Sequence, residues 1–356
     1  MRPTAQLHDL GQSLWLDNIT RSMLDASTIA RYIDEFSVTG LTSNPSIFDN
    51  AISSGDYDAA IAKEDRDKSN EAIFYDLAVA DLQRAADLFS SIHEHTDGVD
   101  GWVSLEVSPQ LAYDTNQTIE WASTLHQRAN RENLFVKIPG TPEGLPAIEA
   151  SIYAGIPINV TLLFDADQYV AAATAYMNGI ERRLDDGLDP RVGSVASVFI
   201  SRWDTAVTNA VPAELKNGLG IAVGLKTYRA YRDLLASARF RKLAERGARP
   251  QRLLWASTKT KDPAASDTLY VAALAAPDTI NTMPDATLEA FYDHGVVGDP
   301  LPEDGGDYET RLHAFAEAGV DTAALAHKLQ DEGAAAFDAS WTELLGKIDA
   351  RRASMA

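Results

Sequence analysis

One lysine sits where a lysine is hard to keep. Residues 133–144 read NLFVKIPGTPEG, and Leu134 to Ile138 form an apolar run bounded by Asn133 and Pro139-Gly140, as a buried strand would be. Alternation puts Leu134, Val136 and Ile138 on one face and Phe135 with Lys137 on the other. The bland reading is an edge strand with a solvated lysine. The apolar flanks, the Phe135 face-mate and the Gly- and Pro-rich loop that follows at once argue against it, because a lysine is rarely fully buried without a partner. A partly desolvated lysine at the carboxyl end of a strand can lose its proton near neutral pH and attack a carbonyl as an amine.

That chemistry needs partners. An amine condensed with a ketone gives a protonated imine, an electron sink for a carbanion on the neighbouring carbon. Breaking the next carbon–carbon bond needs a base for a hydroxyl one carbon further on, and a second carboxylate can move protons while the imine forms and dissolves. Asp17, in phase with Trp15 in SLWLD, and Glu106, in phase with Ser104 in WVSLEV, supply two carboxylates. Asn44 in TSNP and Asn159, which shares a face with Thr161 in INVT, can hold the hydroxyls of a short ketose end. Arg202 beyond a sixth strand and Lys259 beyond a seventh, with Ser257 beside it, are candidates for a substrate phosphate. Ser197 is a further polar residue near a strand end. Each has a structural alternative taken singly: Asp17 as a helix cap, Asn44 as a turn former, Asn159 and Thr161 as bonded core groups, the cations as surface ion-pair partners. Gathered in phase around one lysine, they read better as a site.

The elements that must position these residues alternate. Strands are expected at Ser13–Asp17, Val38–Thr42, Trp102–Val107, Leu134–Ile138, Ile158–Thr161, Val192–Ile200, Arg252–Thr258 and Asp278–Met283. In the seventh, Trp255, Ser257 and Lys259 are expected in phase. Helices are expected between them, among them Arg21–Glu35 with Thr20 as N-cap, Lys68 to about His93, Asp114–Asn130, Asp165 to about Leu184, and Ile221–Arg246. Residues 205–218 read as a loop-like insertion. Polar turns precede a terminal helix from Thr322 to about Ile348, so the extension over about 306–350 is helical, with Leu325, Leu329, Phe337, Trp341 and Leu345 on one stripe. Eight β units alternating with helices predict an α/β fold, a closed (β/α)8 TIM barrel with additional C-terminal helices. With no internal repeat and no dividing linker, a single domain over 1–356 is expected.

Composition narrows the class. The 356 residues are 45% hydrophobic and 23% charged, as in soluble globular chains, and long enough for one barrel. The absence of cysteine excludes disulfides, a thiolate zinc site and a cysteine nucleophile. A net charge of −21 argues against a nucleic-acid surface, while leaving room for a small phosphorylated substrate held by a few local cations. No apolar run is long enough to span a membrane and no signal-like segment opens the chain, so a cytoplasmic location is expected.

In this order the motifs LWLDNITRSML, GLTSNPSIF, VSLEVSP, NLFVKIPGTPEGLPAI, INVTLLF, SVASVFISRWDT, RLLWASTKTKD and DTINTMPDATL resemble those of the transaldolase family over nearly the whole chain. The resemblance implies a Schiff-base lysine on the fourth barrel strand and no metal or organic cofactor. It implies transfer of a dihydroxyacetone unit from sedoheptulose 7-phosphate to glyceraldehyde 3-phosphate, giving erythrose 4-phosphate and fructose 6-phosphate, in the non-oxidative pentose phosphate pathway. Lys137 would form the imine, Asp17 would serve carbon–carbon cleavage, and Glu106 would act through a water held by Thr161. Asn44, Asn159 and Ser197 would bind the dihydroxyacetone portion, and Arg202 with Ser257 the phosphate. Where better-known members carry Ser-Phe-Arg, this chain has Ser257-Thr258-Lys259, which keeps the charge without the bidentate fork. The partners expected are small sugar phosphates, to a chain that is a monomer or a homodimer. Two other readings share the pocket: a Schiff-base aldolase of the fructose 6-phosphate type that releases free dihydroxyacetone, and a non-catalytic barrel that binds a sugar phosphate.

Overall fold

The computed structural model describes residues 1–354. Eight parallel strands close into a barrel in chain order: β1 Ser13–Leu16, β2 Val38–Leu41, β3 Val103–Glu106, β4 Leu134–Pro139, β5 Ile158–Leu163, β6 Ser194–Phe199, β7 Arg252–Ala256 and β8 Ile280–Met283. The expected (β/α)8 barrel with extra C-terminal helices is the fold observed. Two layers of apolar side chains explain why it closes. Leu14, Val38, Leu105, Val136, Ile138 and Val160 point outward into the layer shared with the surrounding helices. Trp15, Phe135, Val195, Leu254 and Ile280 point inward and fill the barrel floor. Phe135 stacks on Trp102 at 4.0 Å between centroids and lies 6.2 Å from Trp15. Gly40 makes room for the indole, since a Cβ there would stand 2.5 Å from Trp15 Nε1.

Beneath that layer a buried carboxylate ties the strand starts together. Asp100 accepts from the Ser13 hydroxyl, from Trp15 Nε1 at 2.8 Å and from the Thr39 hydroxyl at 2.8 Å, and Arg252 lies 3.9 Å away. The same arginine donates to Ser13 Oγ at 2.7 Å and to the Thr279 carbonyl at 3.0 Å. Removing one partner of such a cluster leaves its donors unmatched in an apolar setting. Asp100→Ala is therefore expected to cost about 3–5 kcal/mol, read as a lowered urea midpoint at unchanged slope.

Several element boundaries differ from the sequence expectation for local reasons. The expected helix Arg21–Glu35 is two, Arg21–Asp25 and Thr28–Phe36, because Ser27 adopts a left-handed φ of 58° between them. Thr20 does cap the first, accepting from Met23 N. The expected helix Ile221–Arg246 is Leu219–Ala236 followed by Ala238–Ala244; Ser237 turns extended at the break and its hydroxyl caps the second piece. Residues 205–207 belong to a helix, Ser201–Val207, and the remainder of 205–218 holds only a short 3-10 turn, Ala213–Leu215. Val207 and Val211 pack there with Phe315, from a helix Tyr308–Glu317 that falls inside the helical extension expected over about 306–350. An N-terminal helix, Pro3–Asp9, has too few apolar residues for periodicity to reveal it. No helix among the described residues is long and apolar enough to cross a membrane.

Candidate active site

Barrel closure brings the strand ends onto one cavity, and register does the aligning. Glu106 pairs with Lys137 across β3 and β4, and Lys137 pairs with Asn159 across β4 and β5. Three of the expected site residues thus stand at one height on the inner wall. Lys137 is 5% exposed, and its Nζ lies 3.4 Å from Glu106 Oε2 and donates to the Ser43 carbonyl at 3.2 Å. The ion pair is longer than a charge-assisted hydrogen bond, so Glu106 faces Lys137 Nζ without holding it in one fixed geometry. Neither Glu106 oxygen nor Thr161 Oγ1 has a hydrogen-bond partner among the described residues, although all three are buried.

Asp17 approaches from the β1 side of the barrel. It lies one residue beyond β1 and lines the same cavity as Lys137. Thr42 donates to Asp17 Oδ1 at 2.8 Å, and the Thr282 hydroxyl, 2.7 Å from Thr42 Oγ1, can donate to Thr42 in turn. This relay fixes the carboxylate from β2 and β8. Burial pushes the Asp17 carboxyl above the ordinary carboxylate value; Lys137 and the Thr42 hydrogen bond oppose the shift, and Asp285 reinforces it. Burial raises Glu106 likewise, opposed by Lys137 and assisted by Asp17. Both groups are therefore better proton acceptors than exposed carboxylates, which suits general-base work near neutrality.

The polar residues around them are ordered by one another. Ser197 donates to Asn159 Oδ1 at 2.7 Å, and Asn159 Nδ2 donates to Ser104 Oγ at 3.0 Å, which sets the amide's orientation. Asn44 lines the cavity and also caps the helix Pro45–Ser53, accepting from Ile47 N at 3.1 Å. Its structural and site roles coexist, because the capping oxygen leaves the amide N–H groups free of that duty.

At the other end of the cavity stand Arg202, Ser257, Lys259 and Lys261. Arg202 is largely desolvated, which lowers its pKa from the usual guanidinium range, with Glu332 acting in the opposite sense. Glu332 itself pairs with exposed Lys328 at 3.7 Å. Lys261 is lowered by burial first, then by Lys259 and Arg202. Mutually repelling cations gathered at a cavity wall favour an anion there, and the loops after the later strands are where such barrels commonly hold phosphate.

The sequence expectation brought together Lys137, Asp17, Asn44, Ser197, Arg202, Ser257 and Lys259, and all seven line this cavity; Glu106, Asn159 and Thr161 lie buried in the wall behind it. The end of the seventh strand differs from the expectation. Trp255 faces outward into the helix layer while Leu254 and Ala256 face inward, so Ser257 is not in phase with Trp255 along a continuing strand. Instead β7 ends at Ala256 and Ser257 takes a left-handed φ of 55°, which turns its hydroxyl to Ser201 Oγ at 2.9 Å. Leu162 has the same departure, φ 58°, at the β5 end. Non-glycine residues in that region cluster at functional sites. Lys261, Thr42, Thr282 and Phe337 were not foreseen. Lys261 had a signal, the second lysine of Ser257-Thr258-Lys259-Thr260-Lys261; Phe337 had none beyond its place on a helical stripe.

Comparison with known proteins agrees with this geometry. The family model described as transaldolase/fructose-6-phosphate aldolase matches residues 14–348. The chain is 43% identical to the transaldolase of Arthrobacter sp. (strain FB24), over 99% of this chain and 98% of that one. It is 42% identical to the transaldolases of Acidothermus cellulolyticus, over 97% and 96% of the two chains, and of Thiobacillus denitrificans, over 98% and 100%. With a lysine on the fourth strand of a closed barrel, a buried carboxylate 3.4 Å from it, a second carboxylate lining the same cavity and likeness along its full length, the chain belongs to the transaldolase/fructose-6-phosphate aldolase family.

Proposed function

We propose that this chain moves a dihydroxyacetone unit from sedoheptulose 7-phosphate to glyceraldehyde 3-phosphate, giving erythrose 4-phosphate and fructose 6-phosphate, through an imine on Lys137. The observation that carries the reading is a buried lysine amine 3.4 Å from Glu106 in a cavity that Asp17 also lines. The amine attacks the C2 carbonyl, and Glu106, with a water held by Thr161, carries the protons that turn the adduct into a protonated imine and release water. Asp17 then takes the C4 hydroxyl proton as the C3–C4 bond breaks. The electron pair flows to the imine nitrogen, leaving an enamine on Lys137 and an aldose phosphate with a new aldehyde. An incoming aldehyde is attacked by the enamine carbon, Asp17 returns the proton, and hydrolysis frees the product. Asn44, Asn159 and Ser197 hold the hydroxyls of the three-carbon unit, while Arg202, Ser257 and Lys259, with Lys261, hold the phosphate. The substrates are small sugar phosphates, and the residues named supply every proton and charge in this sequence without a cofactor.

Borohydride reduction in the presence of fructose 6-phosphate tests it. The expected product is a three-carbon dihydroxyacetone-derived adduct on the peptide containing Lys137. An adduct on another peptide, or none, would remove the mechanism. A fructose 6-phosphate aldolase shares the chemistry up to the enamine, so product formation with and without an acceptor aldehyde separates the two readings.

A further inference from the structure

The helix Thr322–Ser354, the longest among the described residues, crosses the mouth of the barrel. Gln330, Gly333 and Phe337 recur at helical spacing and share one face of it. Buried Gln330 donates to the Gly140 carbonyl at 3.0 Å and the Leu162 carbonyl at 2.9 Å, at the ends of β4 and β5. At Gly333 a Cβ would stand 2.9 Å from Leu162 Cδ2 and 3.3 Å from Arg202 Nη1, so the helix lies as close as a glycine allows. One turn on, Phe337 lines the cavity. Its ring centroid is 5.9 Å from Lys137 Nζ, 6.0 Å from the Arg202 guanidinium carbon and 6.5 Å from the Phe199 ring. Beyond it Ser340 hydrogen-bonds Ser46 at 2.8 Å. The helix is thus held on both sides of Phe337, whose ring faces Lys137 Nζ across the cavity, and none of the proton or bond-breaking steps uses it.

Its position bears on what happens between the two halves of the reaction. The enamine carbon can attack an aldehyde, which completes transfer. It can also take a proton from water; the resulting imine then adds water, the carbon–nitrogen bond breaks, and free dihydroxyacetone leaves Lys137 as the amine. Which path wins depends on how much water reaches the carbon. We propose that Phe337 is a specificity-determining residue that covers the enamine against protonation and so commits this site to transfer; this rests on the assignment of the imine to Lys137. The ring's face also suits the positive charge of the protonated imine.

The test is a ratio. With fructose 6-phosphate and no acceptor, the wild-type protein is expected to release a single equivalent of glyceraldehyde 3-phosphate and then turn over slowly. In Phe337→Ala the rate of dihydroxyacetone release, divided by the rate of transfer to erythrose 4-phosphate, is expected to rise by about tenfold. Phe337→Leu keeps an apolar cover and a larger part of the packing, and is expected to raise the ratio by about threefold; it decides the matter if the alanine variant does not fold. A residue that only packs would lower both rates together and leave the ratio at the wild-type value in both variants, which overturns the proposal. Borohydride trapping on the wild-type protein is run alongside: an adduct on Lys137 with an unchanged ratio sinks the role of Phe337 alone, whereas no adduct there sinks the assignment beneath it.

Discussion

Lys137→Met is expected to lower transfer by at least about 10⁴-fold, because removing a covalent nucleophile removes the reaction path and leaves only binding and polarisation. Methionine has nearly the length and volume of the apolar part of lysine, so the barrel interior around Phe135 and Thr161 should keep its packing. The variant should therefore fold while giving no mass shift after borohydride treatment with fructose 6-phosphate. One electrostatic consequence separates it from a simple truncation. Glu106 loses the cation 3.4 Å away that opposes the effect of its burial, so its carboxyl should be driven further toward the neutral form. Activity within about tenfold of the wild type would place the nucleophile elsewhere.

Asp17→Asn should have the second largest effect, a loss of about 10²–10⁴-fold in transfer, as expected for a lost general base. The asparagine oxygen can still accept from Thr42, so the relay from Thr282 survives and the defect is chemical. Its diagnostic is the trapped species. On the proposed mechanism, imine formation at Lys137 does not need Asp17, but cleavage of the C3–C4 bond does. Borohydride should therefore capture the intact hexose phosphate on the Lys137 peptide, where the wild-type protein yields the three-carbon unit. A three-carbon adduct at the wild-type rate would assign the base to another group.

The same substitution has a stability consequence of definite sign. Burial raises the Asp17 carboxyl above its ordinary value of 3.8, so the folded protein binds a proton there more tightly than the unfolded chain. The contribution of that group is complete below 3.8 and is lost as pH rises through the folded value. At neutral pH the wild-type protein carries the cost of a buried charge that Asp17→Asn lacks. The variant should melt higher at neutral pH, and its advantage should shrink as pH falls through that window. A constant difference in melting temperature across that range would refute the linkage.

Most of the barrel was legible because its determinants are local. Strands such as Leu134–Pro139 and Ile158–Leu163 are short apolar runs punctuated by Asn, Gly or Pro, and alternation alone assigns Lys137 and Asn159 to the inner face. Where backbone conformation breaks the regular period, the elements depart from the pattern of apolar spacing. Ser27 and Ser237 interrupt helices whose apolar spacing runs on through them, since propensity at one serine is too weak a signal against a continuing stripe. At Ser257 the same period carried the strand too far, and a single left-handed residue, not alternation, aims the hydroxyl.

The sequence by itself determined the order of the eight strands and which face of them carries Lys137, Glu106 and Asn159, because side-chain direction on a strand is a consequence of short-range geometry. Only the tertiary structure decided what lies above and beneath that ring of residues. Asp100 gathers Ser13, Trp15 and Thr39 at the floor, Lys261 joins Arg202 and Lys259 at one end of the cavity, and Phe337 arrives from two hundred residues downstream of Lys137 to stand 5.9 Å from its amine. These contacts join segments far apart in the chain, and no period along a single element records which distant side chain the closed barrel will place against it.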